Sequence, residues 1–129
     1  MRDCTKIEAW KPADDLTVAI YQQTQALPRE EQYGLTSQLR RAASSVPANI
    51  VEGSARESQR DCLHFLHIAR ASLSEAQYFL HLANRLRYLN EADAARLHQQ
   101  TKQVFACLHG LIQAVARQAR PPVQPVRSP

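Results

Sequence analysis

Seven residues, Cys62, Leu66, Ala69, Leu73, Ala76, Leu80 and Ala83, recur at alternating intervals of four and three. That spacing keeps every member on one face of an α-helix and would scatter them over both faces of a strand, so it commits the whole segment to a helical rod. A second run, Phe65, Ile68, Ser72, Glu75, Phe79, Leu82 and Leu86, lies beside the first. Two adjacent stripes mean a helix covered on well over one side, either by its own chain or by a second subunit. The pattern predicts a long helix over residues 59–89 that has packing partners on more than one flank.

Three further segments share this character. Residues 12–27 carry Leu16, Ile20, Gln23 and Leu27 on one stripe, thickened by Ala19. Pro12 suits a first-turn position, Asp14 and Asp15 suit the positive end of the helix dipole, and Pro28 stops the run. The next helix opens between residues 31 and 36 and aligns Leu35, Leu39, Ala42, Ala43, Val46 and Ile50. It contains Pro47, which removes the amide donor for the carbonyl of Ala43, predicts a bend near residues 43–44, and leaves that oxygen for a nearby polar side chain. Gly53 is expected to end this helix in the left-handed conformation, and Ser58, three residues before Asp61, to begin the long one. Over residues 91–118, Ala94, Leu97, Thr101, Val104, Leu108, Leu111 and Val115 alternate at three and four, with Phe105 and Ile112 beside them.

Only 3 of 129 residues are glycine, which disfavours a sheet protein with its regular turns. The spacing is that of helices crossing near +20°, and short connections make neighbours antiparallel. The expected fold is all-α: an antiparallel up-down four-helix bundle over residues 1–118, its second helix bent at Pro47. Residues 119–129, with four prolines and no periodicity, are expected to form a disordered or extended tail.

Several chemistries find no support. Cys4, Cys62 and Cys107 form no CxxC pair, and their scatter fits a reducing, cytoplasmic setting. The charged start argues against export, and no segment approaches the roughly 18 apolar residues of a spanning helix. His64 and His67 lie near Cys62, but no Glu is followed three residues later by His and no HExxH occurs, so no metal and no cofactor is expected. The three glycines, Gly34, Gly53 and Gly110, are too far apart for a phosphate-cradling loop. Glu75 sits in an apolar stripe, where a carboxylate needs a partner; Arg40 or Arg41 suits that role. A catalytic-base role for it lacks a supporting His, Ser or Lys, and no enzyme is expected.

What remains is arginine. It makes up 13 of the 16 basic residues of a chain with net charge +4, and residues 34–90 and 91–129 each carry +3 against −2 for residues 1–33. Arginine grips phosphate and carboxylate in a planar, bidentate way. Arg40, Arg41, Arg56, Arg60 and Arg70 are the candidate phosphate contacts. Without a base-reading motif, RNA or DNA would be bound with little sequence preference.

The run LTSQLRRAASSVPANIVEGSAR (residues 35–56), followed by FLHIARASLSE (residues 65–75), resembles the bacterial 23S rRNA intervening-sequence proteins, a family that includes the accessory variability determinant of diversity-generating retroelements. Trp10-Lys11 and Leu86-x-Tyr88-Leu89 extend the likeness over nearly all the chain except the proline-rich end. The block Gln38-Leu39-Arg40-Arg41-Ala42 with Pro47-x-Asn49-Ile50-x-Glu52-Gly53 is its most specific part. Ala71 departs from the family's usual glycine before Ser72, which would loosen a close helix approach. The resemblance implies a cytoplasmic bundle assembled as a homopentamer with a basic surface. In the retroelement member it also implies binding to nucleic acid and to a reverse transcriptase. Arg40 and Arg41 match the family's paired arginines, Asn49 and Glu52 its polar positions after the proline, and Ser72 and Glu75 those of the long helix. These last four are expected to be architectural. The expectation is therefore a non-enzymatic, oligomeric nucleic-acid-binding accessory protein. The rival is a structural protein whose helical ring docks a protein partner.

Overall fold

The computed structural model describes residues 9–119, in which there are four α-helices and no strand. They are α1 (Trp10–Thr24), α2 (Leu35–Ser54), α3 (Gln59–Arg85) and α4 (Glu91–Ala119), with a 3-10 turn at Arg29–Glu31 between the first two. Ala119, assigned to the tail by the sequence, is the last residue of α4, and the rest of the proline-rich tail and Cys4 lie outside the described residues.

The stripe of α3 that commits the chain to helix is its buried face: Cys62, Leu66, Ala69, Leu73, Ala76, Leu80 and Ala83 are all buried. In α2 the buried set contains Leu35, Leu39, Ala42, Ala43, Val46 and Ile50 as the spacing predicts. Two stripes shift by one residue. In α1, Thr24 rather than Gln23 is buried. Its hydroxyl donates to the carbonyl of Ile20 at 2.7 Å, so a small polar side chain enters the core satisfied where a long amide would not. In α4, Ile112 is buried and Leu111 only half so.

The ends of the helices differ from expectation in instructive ways. The first helix starts at Trp10, so Asp14 and Asp15 fall beyond its first turn, and Asp15 pairs with Lys11 at 3.6 Å on the surface instead. It ends at Thr24 and closes through three successive i→i+3 bonds before Pro28. Gly53 lies inside α2 with no positive φ, so the left-handed reading is overturned. A side chain there would bring its Cβ to 3.2 Å from both the carbonyl oxygen of Cys62 and the Cβ of Phe65. Gly53 is thus a close-approach glycine between α2 and α3. Ser58 caps α3 as read, its Oγ accepting from the amide of Asp61 at 3.0 Å. At the other end of α3 the amide of Tyr88 bonds the carbonyl of Ala83 and that of Arg87 bonds Asn84, with Arg87 at φ 63. This is a Schellman closure with arginine in the usual glycine place. Asn90 opens α4, accepting from the amide of Asp93 at 2.8 Å.

Each helix packs against two others: α1 and α3 both contact α2 and α4. The core lies where the four buried stripes meet, with Leu16, Ile20, Leu39, Ile50, Leu66, Leu73, Leu97 and Leu108 almost wholly enclosed. This leaves α2 wedged between α1 and α3, and that position organises the arginines.

Candidate nucleic-acid interface

Arg40 and Arg41 are neighbours in sequence and part company in space. Successive residues of a helix point about 100° apart, and α2 has a helix on either side. Arg40 turns to α1: its Nε donates to the Thr24 hydroxyl at 2.8 Å, a terminal nitrogen donates to the Tyr21 carbonyl at 3.2 Å, and the guanidinium lies 4.7 Å above the Tyr21 ring. Arg41 turns to α3 and pairs with Glu75, while also donating to the Gln38 amide oxygen at 3.2 Å. The choice left open by sequence is settled for Arg41. With Arg41 and Glu75 59% and 41% exposed, the pair contributes no more than about 1 kcal/mol.

A polar seam continues from this pair along α2 and α3. The hydroxyls of Ser45 and Ser72 share a hydrogen bond at 2.9 Å. Asn49 reaches back one turn, its amide nitrogen donating to the Ser45 carbonyl at 2.7 Å and to the Ser45 hydroxyl at 2.9 Å. Glu52 pairs with Arg56 at i,i+4, and the Arg56 guanidinium sits 4.6 Å over the Phe65 ring of α3. Asn49, Glu52, Ser72 and Glu75 therefore all tie α2 to itself or to α3. The orphaned Ala43 carbonyl takes none of them. Thr17 of α1 serves it, with Oγ1 at 3.1 Å.

Arg60 and Arg70 stand apart. Both are exposed on α3, and neither pairs with a described carboxylate; Arg70 meets only the Nδ1 of His67, at 3.1 Å. Of the five candidate phosphate contacts, three are engaged in holding α2 to its neighbours or to itself, and two face solvent. The sequence assigned no role to Ser45 or Thr17 and placed Phe65 only in an apolar stripe, without its arginine. Ser45 had a signal, its i+4 spacing to Asn49; the contacts of Thr17 and Phe65 run between separate elements and had none.

Among the described residues, no three His, Cys, Asp or Glu side chains gather to hold a metal ion, and no helix is long and apolar enough to cross a membrane.

The fold is shared with a solved structure from Bacteroides thetaiotaomicron VPI-5482, described as a protein with unknown function from the S23 ribosomal protein family. The two chains are 23% identical with a TM-score of 0.75, over 81% of this chain and 95% of that one. No curated protein matches the sequence. The family pattern of the 23S rRNA-intervening sequence proteins matches residues 5–110, which take in α1, α2, α3 and most of α4. With the seam residues and the buried stripes of α1, α2 and α3 inside that match, the chain belongs to the 23S rRNA-intervening sequence protein family.

Proposed function

We propose that the chain is a non-enzymatic, oligomeric accessory protein that binds RNA or DNA through phosphate contacts with little sequence preference. The observation that carries this reading is the exposed flank of α3, where Arg60 and Arg70 keep their charge unneutralised, with His64 and His67 between them. Guanidiniums free of carboxylates release phosphate counterions on binding, whereas Arg41 and Arg56 would first have to leave Glu75 and Glu52. The same reading takes the helices as an antiparallel up-down bundle bent at Pro47. In its support, Thr17 meets Ala43 and Thr24 meets Arg40, so contacts on α2 fall as α1 rises; Arg41–Glu75 and Ser45–Ser72 run in the same reversed sense. A cytoplasmic homopentamer, and work beside a retroelement reverse transcriptase, rest on the family likeness.

The test is an anisotropy titration with labelled RNA and DNA at low salt, repeated at higher salt. Binding that weakens steeply with salt supports the reading, and no binding at low salt removes it.

A second reading, a scaffold that docks a protein partner, draws on the engaged arginines and on Val18 and Tyr21, exposed by 49% and 42% on α1. It expects an oligomer by light scattering that ignores nucleic acid at every salt concentration.

A further inference from the structure

We propose that the groove between α3 and α4 is a binding site for an unpaired nucleobase, so that the protein prefers single strands to duplex. This rests on the nucleic-acid reading above and assigns it a second, uncharged contact. The groove has a volume of about 680 Å³, ample for one nucleotide. Its floor is apolar, made by the buried Leu80, Leu89 and Leu97. Its rim carries flat rings from both helices: Tyr78 and His81 of α3 and His98 of α4. Tyr78 is 55% exposed, and its ring lies 6.3 Å from that of His81 at an interplanar angle of 38°. Gln77 and Asn84 add side-chain amides that both donate and accept.

The charge pattern selects among occupants. The described lining contains no arginine or lysine and one carboxylate, Glu91, so a phosphate is unwelcome inside. A planar, uncharged group with apolar faces and a polar edge fits, and Glu91 suits an exocyclic amine. That is a nucleobase. In a duplex the faces are stacked and the edges paired, so only an unpaired base has both to offer. Its phosphate stays outside, where Arg85 stands one turn beyond His81 on the same exposed flank of α3.

The experiment compares labelled oligodeoxyadenylate with its duplex by anisotropy at low salt, for the wild type, Tyr78→Ala, His81→Ala and Tyr78→Trp. Free adenosine, which has no phosphate, is titrated in parallel while the ring signals of His81 and His98 are followed by NMR. Tyr78 and His81 are exposed, and circular dichroism checks that each variant folds. Both alanine variants are expected to weaken single-strand binding about tenfold and leave duplex binding unchanged. Tyr78→Trp keeps the wild-type affinity, and adenosine shifts both histidines. Equal effects on strand and duplex, or none, with unmoved histidines, overturn the cleft while the phosphate contacts stand; a groove that seats a protein helix gives this result. If adenosine shifts the histidines but neither strand nor duplex binds, the nucleic-acid reading falls and the nucleoside site stands. If nothing binds, both fall.

Discussion

The hydroxyl of Thr17 lies 3.1 Å from the carbonyl oxygen of Ala43, the acceptor that Pro47 leaves without its amide donor. Pro47 is buried inside α2, and the helix continues through it unbroken. A neighbouring helix thus supplies the donor that the helix's own backbone lacks. Thr17 is also 2.9 Å from the carbonyl of Ala13, so its single proton is shared between α1 and α2.

A double-mutant cycle isolates this contact. Thr17→Val keeps the shape and removes the donor beside a buried carbonyl, at an expected cost of about 1 kcal/mol. Pro47→Ala restores a backbone amide to Ala43, and in that background Thr17→Val should cost clearly less. Urea unfolding of the four proteins measures the difference, and equal costs in both backgrounds reject the assignment.

Two glycines of opposite environment give opposite signs. Gly110 sits inside α4, where an added Cβ would meet nothing within 4 Å beyond the helix's own local backbone. Gly110→Ala should therefore stabilise by up to about 1 kcal/mol, the helix-propensity difference. At Gly53 the same gain is opposed by contacts of 3.2 Å with the Cys62 carbonyl and the Phe65 Cβ, which belong to α3 and do not swing aside. Gly53→Ala should lower the unfolding midpoint. A rise would mean that α2 and α3 separate readily at that end.

The sequence is most legible where one helix can be read by itself. All seven residues of the α3 stripe are buried, and the Ser58 cap is in place. Differences arise where two patterns overlap by one residue, as at Gln23 and Thr24 or Leu111 and Ile112, because helical spacing leaves neighbouring positions only about 100° apart. Gly53 differs because a glycine near a helix end looks alike in sequence whether it serves a turn or a close approach. The interface is legible only in composition. Nothing in the adjacency of Arg40 and Arg41 says that one clamps α1 and the other α3; that needs the position of α2 between them.

Arg87 holds φ 63 in the closure of α3, a conformation that costs a side-chain-bearing residue about 1 kcal/mol and glycine almost nothing. Arg87→Gly is expected to raise stability by up to about 0.5 kcal/mol, after the greater freedom of glycine in the unfolded chain is set against the relieved strain. Arg87→Ala removes the same charge without that relief and should bring no gain. If the two variants have the same melting temperature, the backbone at residue 87 is not strained.

The arginines divide into those that hold the fold and those that are open to a ligand, and salt dependence separates them. Every phosphate that a variant no longer neutralises should flatten the slope of log K against log salt by about 0.9 for duplex DNA. Replacing Arg60 and Arg70 together by Gln should therefore reduce the slope by roughly 1–2 and leave the unfolding curve nearly unchanged, since neither pairs with a described carboxylate. Arg41→Gln should do the reverse. It leaves Glu75 without its ion pair, costs no more than about 1 kcal/mol because both groups are well exposed, and keeps the slope. Arg40→Gln should be costlier than Arg41→Gln, because it removes the Nε donor to the buried Thr24 hydroxyl and the stack on Tyr21 together. A flattened slope in Arg41→Gln and an unchanged one in the Arg60 and Arg70 pair would move the phosphate contacts into the seam between α2 and α3. Binding would then have to open the Arg41–Glu75 pair.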